Sequence, residues 1–333
     1  MVDLPEGMGV DEMAGLRTTG VVATTHMVTQ AGVNQRFTKE ALEDMARQMN
    51  TGAVPVRLTH DSTSPTVARN RNSWVQAASD GEFELWVEQE FLSDSDFPDL
   101  DPSIVPTQWM PPTDRGLPVN EEVDLRVTLL ADPTSISEKD IDEFRKDIGP
   151  TTELESQWKL RHALLPGWEV IAIVAGAWLL KSFLTSFGSA VGHQLGQTVG
   201  ADLAIAYRRL RHALVNVFRR TKKPGEHGIV LVRWSSSARP SVTIEAAYKG
   251  GSPDDLSSAL AELPALAHAI EDVLSRSVAV DISKLTLIYD EGGQQWVTNY
   301  IEFIDGLQAL SAFGKRNVEG ILAAMQAERQ QDQ

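Results

Sequence analysis

Cysteine is absent from all 333 residues. That excludes disulfides, thiolate chemistry and cysteine-based zinc sites together. Basic residues are also scarce, with 30 Lys and Arg against 46 Asp and Glu and a formal net charge of -16 at pH 7. So acidic a surface disfavours non-specific nucleic-acid binding by the chain as a whole. The opening residues, MVDLPEGMGVDE, lack the basic and apolar regions of a secretory signal. A cytoplasmic protein is the default expectation, with the inner face of the membrane as a further address. There is no helical His-x-x-x-His spacing and no cofactor motif, so neither a metal nor a cofactor is indicated.

Long apolar segments are lacking too, except for one. From Leu164 to Arg220 the chain reads LLPGWEVIAIVAGAWLLKSFLTSFGSAVGHQLGQTVGADLAIAYRRLRHALVNVFRR, with no polar side chain between Val170 and Leu180. Ile173, Ala177, Leu180, Leu184, Phe187 and Val191 alternate steps of four and three, and Leu195, Val199, Leu203, Ala206, Leu210, Leu214 and Val217 carry the stripe onward. This spacing predicts a long central amphipathic helical segment. Gly188, Gly192, Gly196 and Gly200 recur every fourth residue within it. Each glycine in a helix interior costs about 1 kcal/mol relative to alanine. A ladder of them therefore implies close packing against a second helix, as in small-xxx-small membrane packing, or a hinge between two shorter helices.

A transmembrane span needs about 20 predominantly apolar residues. Trp168 to Gly192 reaches that length only by including Lys181. The choices are a marginal span, a helix lying in the membrane surface, or a buried helix of a homo-oligomer. Arg208, Arg209 and Arg211 would meet anionic lipid in the second case. Against that stands the ordinary role of cations near a helix C-terminus, where they suit the dipole.

Three domains are expected around this segment. Residues 15–150 read as a β-rich, barrel-like domain. GVVATTHMV suits a strand, and FTKEALEDMARQM a helix capped by Thr38 with a Phe37 to Leu42 hydrophobic staple. SWVQAA and EFELWVEQEF flank a Ser79-Asp80-Gly81 turn and form a hairpin. Residues 92–122 carry six prolines and repeated Asp, the composition of a surface excursion or a partly disordered loop. VDLRVTLLA resumes as a strand, and Ser137 caps the helix EKDIDEFRKDI. Residues 151–223 form the linker and the membrane-associating or oligomerising helices. Residues 224–330 read as an α+β module of order ββαββα with an antiparallel sheet, its first helix opening at Ser252-Pro253-Asp254-Asp255. The Gly250-Gly251-Ser252 turn could hold an anion at that helix terminus, but the two acids make a cap the better account.

The succession VVATTHMV, FTKEALEDM, VPVRLTHDSTSP and a hairpin through Asp80-Gly81 resembles the phage prohead (capsid-maturation) proteases, β-barrel serine peptidases. The resemblance implies that His60, followed by Asp61 and Pro65, stands at the catalytic-base position. It also puts Thr128, within LRVTLLA, where that family has its nucleophilic serine, with Ser135 close behind. Thr66-Val67-Ala68-Arg69 departs from the glycine that family carries after its proline, which implies a degenerate, inactive relative. Read without the resemblance, His60 ends an apolar strand as most structural histidines do, and with His26 and Asp61 it would form an acid-base or metal cluster.

The expected function is a membrane-associated or self-associating multidomain interaction protein, a homo-oligomer with an inactive protease-like N-terminal domain. The alternative is a serine/threonine-type endopeptidase using His60 with Thr128 or Ser135.

Overall fold

The computed structural model describes residues 15–30, 33–51, 55–56, 63–92, 96–109, 125–131, 136–149, 152–158, 168–175, 196–221, 227–236, 238–276 and 281–320. The chain divides into two compact units, one of Met1–Leu100 with Ile304–Gln333 and one of Asp101–Phe303.

In the first unit, β1 (Arg17–Thr24), β4 (Pro55–Val56), β5 (Ala68–Ala77) and β6 (Phe83–Phe91) form an antiparallel sheet of order β1-β6-β5-β4. Two short strands, β2 (Val28–Gln30) and β3 (Val33–Gln35), pair separately. Helix α1 (Lys39–Thr51) starts where Thr38 Oγ1 accepts the Ala41 amide at 3.2 Å. Its Leu42 and Ala46 pack on Leu85 of β6, with Phe37, Met45, Met49, Val75, Phe83 and Ala23 around them. Burying each Leu of that cluster contributes roughly 1.5–3 kcal/mol.

This overturns the barrel. The described strands form an open sheet with one face under α1, and β4 contributes two residues. Apolar alternation fixes which face of a strand is inward, but closure depends on pairing between strand ends, which no local pattern encodes.

The C-terminal stretch belongs to this unit. β15 (Gln308–Leu310) bridges Asp99, and a helix, α5, follows over 312–320. The Gln308 side chain accepts from the Thr66 amide at 2.9 Å and donates to Thr66 Oγ1 at 3.1 Å.

In the second unit, one mixed sheet runs β14-β13-β12-β11-β10-β8-β9, with β7 (Gln108–Trp109) paired to β14 (Gln295–Phe303). The other strands are β8 (Leu125–Ala131), β9 (Thr152–Trp158), β10 (Trp168–Ala175), β11 (His227–Ser235), β12 (Thr243–Gly250) and β13 (Ile282–Asp290). Parallel neighbours are joined through helices: β8 to β9 by α2 (Glu138–Ile148), β10 to β11 by a segment containing α3 (Gly196–Thr221), and β12 to β13 by α4 (Pro253–Arg276). A parallel connection requires such a crossover, and the helix is its usual content.

The helices pack side by side. Arg220 of α3 meets Glu143 of α2 at 2.9 Å, and Asn216 donates to Asp147 at 3.1 Å. Tyr207 of α3 donates to the Leu260 carbonyl of α4. Ser137 caps α2 in a capping box with Asp140, as its sequence implied. Phe218 of α3 lies so close over Gly228 of β11 that a Cβ there would collide with its ring.

Two further expectations fall here. The central long amphipathic helix is not borne out: its first part, Trp168–Ala175, is strand β10, parallel to β11, and the described helix of this segment is Gly196–Thr221. WEVIAIVA is a short apolar run, which periodicity alone cannot assign to buried strand or helix. Its β-branched residues suit a strand paired on both edges, here by β8 and β11. Residues 176–195 lie outside the described residues.

Nor is the ββαββα order a C-terminal fold of its own. β11 to β14 continue the same sheet as β8 to β10, and β12 and β13 run parallel because α4 crosses between them. The last segment joins the first unit and enters its helix through β15. Part of the acidic stretch is also packed. Val105 and Trp109 are buried, and the Trp109 indole donates to Thr298 Oγ1 at 2.9 Å.

Candidate interaction surface

The hairpin of β5 and β6 positions the surface. Its turn closes through Gly81, whose φ of +86° suits glycine, and through the Ala78 amide bonded to the Glu82 carbonyl at 2.8 Å. Along β6 the residues Leu85, Val87, Gln89 and Phe91 are buried. Successive side chains alternate between faces, so Glu84, Trp86, Glu88 and Glu90 share the face away from α1.

Across that face Trp86 sits opposite Trp74 of β5. The two rings are nearly parallel, with centroids 6.3 Å apart and 15° between planes. The Trp86 indole N–H donates to Glu84 at 3.0 Å. Arg17 of β1 reaches Glu88 at 3.5 Å while its own side chain is 62% exposed. Glu90 takes both Arg69, at 3.2 Å, and Arg71, and Arg69 lies 3.7 Å from Asp96. Burial pushes the Glu90 carboxyl up, but Arg71 and Arg69 together hold it below its ordinary value. Arg17, Arg69 and Arg71 thus gather at one end of the face. Trp86 stands between two carboxylates at the other.

A face of an antiparallel sheet turned away from the core normally carries polar residues alone. Two tryptophans there contribute nothing to the cluster under α1, and aromatic side chains of this size are what interfaces bury. The pattern Glu84-x-Trp86-x-Glu88 carried the signal in the sequence. A tryptophan on the polar phase of an otherwise clean alternation is out of step with the core, and the sequence reading passed over it.

The residues expected from sequence to form sites are placed as follows. His60, Asp61 and Ser135 lie outside the described residues, as do Gly188 and Gly192. Thr128 lies in β8, in register with Val174 of β10 and Glu155 of β9. The structure therefore gives no distance for a His60–Thr128 or His60–Ser135 pair. His26 pairs with Asp80 of the hairpin at 3.1 Å, both being half exposed. Gly196 is the first residue of α3 and Gly200 its fifth. Arg208 and Arg209 are exposed on α3, and Arg209 lies against Gly149. Arg211 is half-buried near Tyr207, whose hydroxyl burial pushes up.

At the other turn noted from sequence, Ser252 Oγ caps α4 by accepting the Asp255 amide at 3.2 Å. The Ser252 amide donates to Tyr248 Oη at 3.0 Å, and Tyr248 bonds Glu291 at 2.7 Å. Burial, then the bond to Glu291, pushes the Tyr248 phenol far up. These amides are satisfied by the protein itself and face a carboxylate, so the turn is a cap. Among the described residues no group of three or more His, Asp and Glu is arranged to hold a metal ion. No described helix is long and apolar enough to cross a membrane.

No protein family, curated protein or solved structure matches the chain. The resemblance to the prohead proteases is neither supported nor refuted by these comparisons.

Proposed function

We propose that the protein is a non-catalytic interaction protein whose N-terminal sheet docks a partner on the face opposite α1. The observation that carries this reading is the Trp74–Trp86 pair on a face that α1 does not cover. Catalysis needs a nucleophile and a base within hydrogen-bond reach. The described part of this face offers carboxylates, arginines and indoles, and its threonine hydroxyls, Thr19 and Thr24, stand opposite the carboxylates Glu88 and Glu84 rather than an imidazole. Ordered arginine–carboxylate pairs around a hydrophobic centre follow the anatomy of an interface, with an apolar middle and a charged rim.

The experiment is a chemical footprint. Oxidation of Trp74 and Trp86 is read by mass spectrometry in the full-length protein, alone and in the lysate of its source cells. Protection of these two tryptophans in the lysate, lost when Trp74→Ala is introduced beside an intact Trp86, supports the reading. Equal reactivity in both settings overturns it.

A further inference from the structure

We infer that the docking face takes a basic, extended peptide, one Lys or Arg side chain lying over the Trp74–Trp86 pair with its charge between Glu84 and Glu88. This rests on the reading of that face as a docking surface. The indole face is electron-rich and attracts cations, and tryptophan is the strongest of the aromatic side chains in this respect. Glu84 and Glu88 flank Trp86 on the same strand and face, each two residues and about 7 Å away along the chain.

The charges favour a cation there. Glu84 meets the Trp86 indole N–H and, among the described residues, no Lys or Arg. Glu88 has Arg17, at 3.5 Å and largely in solvent, a contact that an incoming cation can displace at little cost. Arg69 and Arg71 are committed to Glu90 at the far end of the face. At the near end the hairpin adds Asp80 and Glu82, the first paired with His26 and the second with Arg36. The chain as a whole carries -16, which steers a basic partner toward it and repels nucleic acid. A long Lys or Arg stem can lie along an indole while its charged head reaches a carboxylate, so one side chain satisfies both features.

The test uses the full-length protein and fluorescein-labelled nona-lysine and nona-arginine, followed by anisotropy at physiological salt. Nona-glutamate, maltoheptaose and a twelve-nucleotide oligo-dT serve as competitors. Glu84→Gln with Glu88→Gln keeps the side-chain shapes and should raise the Kd about tenfold, while Trp74→Ala and Trp86→Ala should each raise it about fivefold. Glu43→Gln with Asp44→Asn on α1 removes the same charge elsewhere and should change the Kd by less than about twofold.

Equal weakening by the α1 pair, or binding indifferent to the tryptophans, would mean diffuse attraction to an acidic protein and overturns the inference. Trp-dependent binding of maltoheptaose or oligo-dT without binding of the basic peptides overturns the ligand class and leaves the docking face standing. Binding of none of the probes in a Trp-dependent way, with no protection in the lysate footprint, removes both.

Discussion

Glu245 and Lys284 meet at 2.7 Å on the neighbouring strands β12 and β13, the carboxylate 2% and the amine 13% exposed. Arg233 of β11 closes on the same carboxylate from the other side. One buried acid thus ties three consecutive strands together. Removing one member of such a group leaves a charge in a low-dielectric site with nothing opposite it.

Glu245→Ala should therefore destabilise the protein by about 3–5 kcal/mol. Lys284→Met should cost less, because Arg233 remains to hold the carboxylate. Urea denaturation of the full-length chain, read by far-UV circular dichroism, checks both. A midpoint unchanged by Glu245→Ala would show that the charge is solvated after all.

Gly228 is required by Phe218. The ring of Phe218, on α3, occupies the space a Cβ at Gly228 would need, and it packs edge-on to Tyr248 with centroids 5.7 Å apart. Gly228→Ala should lift α3 from the sheet or drive Phe218 off its rotamer, at about 1–3 kcal/mol. The double variant Gly228→Ala with Phe218→Leu should recover part of that loss. Additive losses in the double variant would sink the explanation.

The Glu82 carboxyl is held below its ordinary value, first by the hydrogen bond from the Thr25 hydroxyl and then by Arg36. The group's folded pKa is depressed, so its contribution to stability is present above the unfolded value of about 4.3 and is lost as pH falls through the lower folded value. Thr25→Val should raise the Glu82 pKa and move acid-induced loss of the N-terminal sheet to higher pH. Carbon-detected NMR titration of the Glu82 carboxyl reads the first effect. No movement on Thr25→Val would assign the shift to Arg36.

Much of the local structure was legible because its causes are local. Asp80-Gly81 between two alternating runs announced the β5–β6 hairpin, and Thr38, Ser137 and Ser252 announced their helices through side-chain caps. The alternation of β6 was legible as well, while Trp86, which falls on its polar phase, was assigned to neither face. What the sequence did not disclose was non-local. WEVIAIVA fits a buried strand or a helix until β8 and β11 are known to flank it. Pairing of parallel strands is decided by crossovers, and the barrel failed for the same kind of reason. Such pairings leave no signature in a window of ten residues.

The longest of these non-local links gives the last prediction. Gln308 and Thr66 are 242 residues apart, both buried, and they exchange two hydrogen bonds within the first unit. Leu310 adds to them, accepting from the Leu100 amide at 2.9 Å and donating to the Pro98 carbonyl at 3.2 Å. The C-terminal segment therefore completes the N-terminal unit. Gln308→Ala would leave the Thr66 amide and hydroxyl buried without these partners, a loss of about 1–3 kcal/mol. Gln308→Glu keeps the acceptor but removes the donor, and should cost more as a buried charge near neutral pH than in mild acid, where it is protonated. Hydrogen exchange of the Thr66 amide in wild type and Gln308→Ala reads the link directly. Protection of that amide should drop in the variant, while amides of α2 and α4, which lie in the second unit, keep theirs. Unchanged protection at Thr66 would show that the first unit closes without its C-terminal segment.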